Sequence, residues 1–137
     1  MPTGYSGTPT AKKLGIKSGL RVAVLNAPKD YRRLVDGLPP DVELRTSLRG
    51  KSDLVHIFAT TETELEKRID SLRKAIEPSG MIWVSWPKRA SKVPTDLTED
   101  VVRRVALGHQ LVDVKVCAID ETWSGLKLVI RLADRQL

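Results

Sequence analysis

Three stretches of this chain are apolar almost without interruption: Leu20-Arg21-Val22-Ala23-Val24-Leu25, Leu54-Val55-His56-Ile57-Phe58-Ala59-Thr60 and Met81 to Trp86. A strand with one face in water alternates apolar and polar residues, so runs lacking that alternation describe strands covered on both faces. Between the second and third runs, Leu65, Ile69, Leu72 and Ile76 recur at helical spacing behind Thr61 and Glu64, which form a capping box. Pro78 and Gly80 are expected to end that helix. Doubly buried strands separated by helices require crossover connections and a mostly parallel sheet.

The remaining segments extend the pattern. Thr8 and Pro9 open a short helix that Gly15 stops, with Lys12, Lys13 and Lys17 at its end, where cations suit the helix dipole. Tyr31, Leu34, Val35 and Leu38 predict a second helix, closed by Gly37 and Pro39-Pro40, and Asp41 to Leu44 a short strand near an edge. Asp96 with Glu99 is expected to cap a helix whose Leu97, Val101 and Val105 face inward and which Gly108 ends. Leu111 to Ile119 and Leu126 to Leu132 are strands joined through Asp120 to Gly125, a connection short enough to demand antiparallel pairing. The expected fold is an α/β, three-layer, Rossmann-like, mostly parallel sheet with a C-terminal antiparallel hairpin.

Composition narrows the possibilities further. At 137 residues the chain makes one domain, with residues 1–19 as a basic helical lead-in and 20–132 as the α/β core. A 41% hydrophobic content supports a core and argues against wholesale disorder. One Cys excludes an internal disulfide and paired-Cys zinc sites, and His56 and His109 have no metal-ligand spacing, so no metal is expected. No apolar run reaches membrane-span length, and residues 1–10 have no signal-peptide core; a cytoplasmic protein is expected. The net charge of +6 lies in the first third, where residues 1–51 carry ten basic and four acidic side chains.

The segment Ile16-Lys17-Ser18-Gly19-Leu20-Arg21-Val22 resembles the approach to the first strand of Rossmann-like, S-adenosylmethionine-dependent methyltransferases. Asp53-Leu54-Val55, the helix after it, and Leu72 to Ile76 with Glu77-Pro78-Ser79-Gly80 before Met81 to Trp86 resemble a later strand-helix-strand unit of that superfamily. The resemblance covers most of residues 16–132 and implies the fold, with S-adenosylmethionine as the cofactor to test. The chain departs from that pattern where a glycine-rich turn would follow the first strand: Asn26-Ala27-Pro28-Lys29-Asp30 stands there, and no Gly occurs between Gly19 and Gly37. The acidic residue expected at the end of the second strand is also not evident, because Glu43 is followed by Leu44-Arg45-Thr46. S-adenosylmethionine therefore stays open, and no catalytic residue is carried over. Tyr5-Ser6-Gly7-Thr8-Pro9, Ala11 to Ile16, Leu25-Asn26-Ala27-Pro28, Trp83 to Lys88 and Asp120 to Leu126 together resemble a family of small bacterial proteins classed as a domain of unknown function. That resemblance implies a bacterial, stand-alone domain and brings no activity.

Ligands of open α/β sheets bind beyond the carboxyl ends of the strands. The residues leaving those ends predict a rim of Asn26, Lys29, Lys88, Arg89, Ser91, Lys92, Glu121 and Trp123 around one crevice. Its lysines and arginine, with helix N-termini opening at the same edge, suit an anionic small molecule; a solvated basic loop is the plainer reading. Trp86 and Trp123 could sandwich a planar group, or cap the core by packing on each other. Cys117 lies within a strand and lacks a nearby base, and His56 reads as a hydrogen-bonded interior imidazole. Three functions follow in order: a ligand-binding or protein-interaction module on a methyltransferase-like scaffold; an enzyme acting on an anionic substrate, an atypical methyltransferase among the options; and a nucleic-acid-associated protein. The last is disfavoured because base-reading motifs are absent. The hairpin edge leaves pairing with a second subunit open.

Overall fold

The computed structural model describes residues 7–135, so Tyr5 and Ser6 of the second resemblance lie outside the described residues. The chain runs α1 (Thr10–Leu14), β1 (Arg21–Leu25), α2 (Tyr31–Leu34), β2 (Glu43–Arg45), β3 (Ser52–Phe58), α3 (Glu62–Ala75), β4 (Ile76–Pro87), α4 (Glu99–Leu107), β5 (Leu111–Ala118) and β6 (Trp123–Ile130). Two short 3-10 turns, Arg89–Ser91 and Leu132–Asp134, complete it. The six strands form one sheet in the order β2-β1-β3-β4-β6-β5. β1 pairs in parallel with β2 and β3, β3 with β4, and only β6 runs antiparallel, between β4 and β5. This is the expected three-layer, Rossmann-like arrangement with its C-terminal hairpin.

The apolar runs are doubly covered because alternate residues enter two separate cores. Val55, Ile57, Ile82 and Val84 pack under α3 and α4 with Leu65, Ile69, Leu72, Val102 and Val105. On the other face, Leu54, Phe58 and Trp83 pack with Ala11 and Leu14 of α1 and with Tyr31 and Val35. The buried Trp83 indole N–H donates to the Leu14 carbonyl at 2.9 Å, so the lead-in helix is tied to the middle of the sheet.

Several boundaries differ from the sequence expectation. Pro9, not Thr8, stands at the α1 N-cap, and no side chain caps it. The second helix is a single turn: Val35 is extended (φ −112°, ψ 94°) and carries its side chain into the core before Gly37 turns left-handed. α3 ends at Ala75, well before Pro78 and Gly80, because Ile76 already pairs with Ser52; the register then shifts before Leu54 meets Met81. Gly80 sits inside β4, where a Cβ would lie 2.8 Å from the Asp53 carbonyl oxygen. Thr98, not Asp96, caps α4 by accepting from the Val101 N–H at 3.2 Å. Leu97 and Val105 are buried as expected, Val101 only partly, and Val102 fully. β6 begins at Trp123, so the hairpin connection is shorter than predicted.

Candidate functional site

From β1 the chain departs through α2 toward one face of the sheet, whereas from β3 it departs through α3 toward the other. Such a reversal opens a crevice outside the carboxyl ends of these neighbouring strands. Asn26 leaves β1 there, with φ at 60°. Glycine is the usual occupant of that region, and Asn is among the few other residues that tolerate it. The left-handed turn is thus formed without glycine, and a carboxamide stands where a glycine would leave open space.

Opposite Asn26, Thr61 accepts from the Glu64 N–H at 3.1 Å, which starts α3 as the capping box predicts. The Glu64 carboxylate turns back, accepting from the Thr60 N–H at 3.2 Å, while its other oxygen lies 3.5 Å from Asn26 Nδ2. Asp96 accepts from the Glu62 N–H at 2.7 Å, and the Thr95 hydroxyl donates to the Thr60 carbonyl at 2.6 Å. The segment before α4 therefore lies against the mouth of β3, and three donors around the α3 N-terminus are satisfied by the chain's own oxygens. Glu62, Glu64 and Asp96 surround this helix end, and their charge opposes that of the helix dipole there. Of the helix N-termini expected at the rim, that of α3 is thus ringed by acidic groups.

The rim residues do leave the same edge of the sheet: the Lys88 N–H donates to the Thr122 carbonyl at 2.7 Å, which joins the β4 exit to the hairpin turn. Four of the eight divide between two grooves, and Asn26, Ser91, Glu121 and Trp123 border neither. Lys29 borders a groove of about 620 Å³ with Arg33, Asp36 and Asp120. Lys88, Arg89 and Lys92 border one of about 490 Å³ with Trp86, Val93 and Leu97. The Ser91 hydroxyl donates to the Lys88 carbonyl at 2.7 Å and accepts from the Val93 N–H at 3.2 Å, shaping the turn that places these cations. Asp120 accepts from the N–H groups of Thr122 and Trp123, both at 2.8 Å, which makes it a turn former. Trp86 and Trp123 enter different cores on opposite faces, so they neither sandwich a ligand nor pack on each other. Trp123 meets Phe58 edge-on at 5.2 Å between ring centres.

Within the sheet and against α2 lies a chain of buried polar groups. His56 and Ser85 are fully buried and Tyr31 nearly so. The His56 Nδ1 is 2.6 Å from the Tyr31 hydroxyl, and its Nε2 is 2.7 Å from Ser85 Oγ. A neutral imidazole, accepting at one nitrogen and donating at the other, satisfies both partners. Burial pushes the His56 pKa down to about 3 and that of Tyr31 up, so both are uncharged at neutral pH. His56 is the interior imidazole expected from its place in β3. Cys117 is half-buried, and burial raises its thiol pKa, which fits a structural role.

Two features had no sequence signal. Glu64 is read in sequence as a capping residue, and its reach to Asn26 depends on how β1 and α3 are juxtaposed. His109 follows α4, yet its ring nitrogens lie 2.7 Å from Asp70 and 3.0 Å from Glu66 of α3, and these carboxylates raise its pKa, that of Glu66 most.

No family model matches this chain, and no curated protein does. Solved structures do. A SAM dependent methyltransferase from Aquifex aeolicus superposes with a TM-score of 0.61 at 12% identity, over 88% of this chain and 87% of that one. Magnesium protoporphyrin IX methyltransferase from Synechocystis PCC 6803, solved with bound SAM, gives 0.57 at 10% identity over 89% and 74%. A glycopeptide N-methyltransferase complexed with S-adenosyl-L-methionine gives 0.57 at 12% over 88% and 86%. At these identities the likeness establishes the fold, which is methyltransferase-like.

Proposed function

We propose that this chain works as a ligand-binding or protein-interaction module on a methyltransferase-like scaffold, and not by methyl transfer. The observation that carries the reading is the occupied mouth of the switch-point crevice. S-adenosylmethionine is the cofactor this fold implies, and the residues present do not fit it. The Asn26 carboxamide and the Glu64 carboxylate face each other where a glycine turn would let a ligand approach the backbone. At the end of β2, where an acidic side chain could hold ribose hydroxyls, stands Arg45, paired with Glu43 and donating to the Lys51 carbonyl at 2.9 Å. No step of a reaction is derived through the cofactor.

What the rim offers instead is the groove bordered by Lys88, Arg89 and Lys92, with Val93 and Leu97 as apolar neighbours. Cations on a partly apolar wall suit an anionic small molecule or an acidic segment of a partner protein. No helix among the described residues is long and apolar enough to cross a membrane.

Thermal denaturation with S-adenosylmethionine and S-adenosylhomocysteine tests the reading. A ligand present at a hundred times its Kd would raise Tm by on the order of 10 °C in a domain of this size. The expected result is no saturable shift. A dose-dependent rise that Asn26→Leu abolishes would overturn the proposal.

A further inference from the structure

A further groove lies at the opposite edge of the sheet, beside the amino ends of β3 and β4. It measures about 680 Å³ and is bordered by Lys51, Arg73, Lys74, Gln110 and Arg135. Lys51 precedes β3, Arg73 and Lys74 close α3, Gln110 precedes β5, and Arg135 follows the last 3-10 turn. Four cations from three separate parts of the chain thus converge on one concavity. The one acidic residue on its border, Asp134, is already held by Arg131 at 2.7 Å.

Arg73 is the unusual member. Its Nε is buried and lacks a hydrogen-bond partner among the described residues. Basic residues in the last turn of a helix ordinarily suit the dipole by meeting the terminal carbonyls. Arg73 makes no such contact among the described residues; the nearby Ile76 carbonyl is approached instead by Lys51 Nζ, at 3.4 Å. A guanidinium N–H buried without an acceptor is costly, and turning this part-exposed side chain toward an oxyanion in the groove would supply one. Arg135 donates through Nε to the Ile130 carbonyl at 2.9 Å, which anchors its head at the same border.

We infer that this groove is a binding site for a compact, multiply charged phosphate group, with Arg73 and Arg135 as its principal contacts and Lys51 and Lys74 supplying further positive charge. It is separate from the rim at the carboxyl edge and does not depend on the function proposed there. Planar guanidinium forks match phosphate oxygens, and several cations in one concavity favour an oligophosphate over a single carboxylate.

The test is a titration of the full chain, nitrogen-labelled, with inorganic pyrophosphate at low ionic strength, followed by amide chemical shifts. Saturable shifts centred on Arg73, Lys74, Gln110 and Arg135 are expected, with a Kd below about 1 mM. Arg73→Met should weaken binding by about tenfold or more, as expected when a charge-assisted contact is lost. Ala133→Glu places a carboxylate at the exposed border of the groove and should weaken it as well, so the inference can be judged even if Arg73→Met fails to fold. A nucleoside triphosphate arm reports whether a phosphate chain on an organic body is taken as readily. Shifts centred on Lys88 to Lys92, affinity unchanged in both variants, or binding of duplex nucleic acid without binding of pyrophosphate would each overturn it.

Discussion

His56 makes the stability of this domain sensitive to mild acid, and the size of the effect follows from its surroundings. In the unfolded chain the imidazole titrates near its ordinary value of about 6.5. In the folded domain burial pushes it down to about 3. Between those values the unfolded chain binds a proton that the folded chain does not, so stability is intact above about pH 6.5 and falls as pH drops. Each pH unit in that window removes roughly 1 kcal/mol, or roughly 2 kcal/mol between pH 6.5 and 5. Against a typical domain stability of about 5–15 kcal/mol that is readily measured. Urea unfolding should be compared across this range for the natural chain and for His56→Gln, which keeps a donor and an acceptor for Tyr31 and Ser85 but does not titrate. The variant begins less stable, because it loses the stacking of His56 on Phe58 at 4.3 Å, yet its stability should decline less steeply. The lowered pKa values of Asp36 and Asp53 act equally in both proteins and cancel in the difference. Parallel curves down to pH 5 would refute the account of a buried, neutral imidazole.

His109 acts with the opposite sign. Its pKa is raised by Glu66 and Asp70, so its contribution is fully present below the ordinary imidazole value and is lost as pH rises through the folded one. The stability difference between the natural chain and His109→Gln should therefore be larger below the ordinary imidazole value of about 6.5 than well above it, as urea unfolding on the two sides will show. Gly80→Ala should cost about 1–3 kcal/mol, because its Cβ would lie 2.8 Å from the Asp53 carbonyl oxygen of β3 and 3.0 Å from the Glu77 carbonyl oxygen of its own strand. Gly108→Ala, whose nearest contact would be 3.5 Å away, should change the urea midpoint little.

The scaffold was legible because burial on both faces leaves a direct trace in residue order. Val22 to Leu25, Leu54 to Phe58 and Ile82 to Trp86 have no place on a half-exposed sheet, and Thr61 with Glu64 marks a helix start through a local hydrogen bond. Local rules failed where a nonlocal contact competed with them. Pro78 and Gly80 look like helix stops, yet Ile76 had already joined β3 at Ser52, which has no signature near residue 76. Asp96 looks like the cap of α4, yet it caps α3. The rim behaved in the same way: its residues share an edge because strand direction is readable, but Lys29 lines one groove and Lys88, Arg89 and Lys92 another because facing depends on register. Trp86 lies opposite Ser124 and Trp123 opposite Pro87, one residue apart, and that single step sends the two indoles to opposite cores.

The sequence by itself determined which segments are strands and helices, that most strands run parallel, and which residues emerge at the carboxyl edge, since all of these follow from periodicity and connection length. Only the tertiary structure decided that Glu64 reaches the turn at Asn26, that His56 bridges Tyr31 and Ser85, and that Arg73 joins Lys51 and Arg135 around one groove. Those arrangements depend on distances between segments far apart in the chain, and such distances are set by how the two cores pack against the sheet.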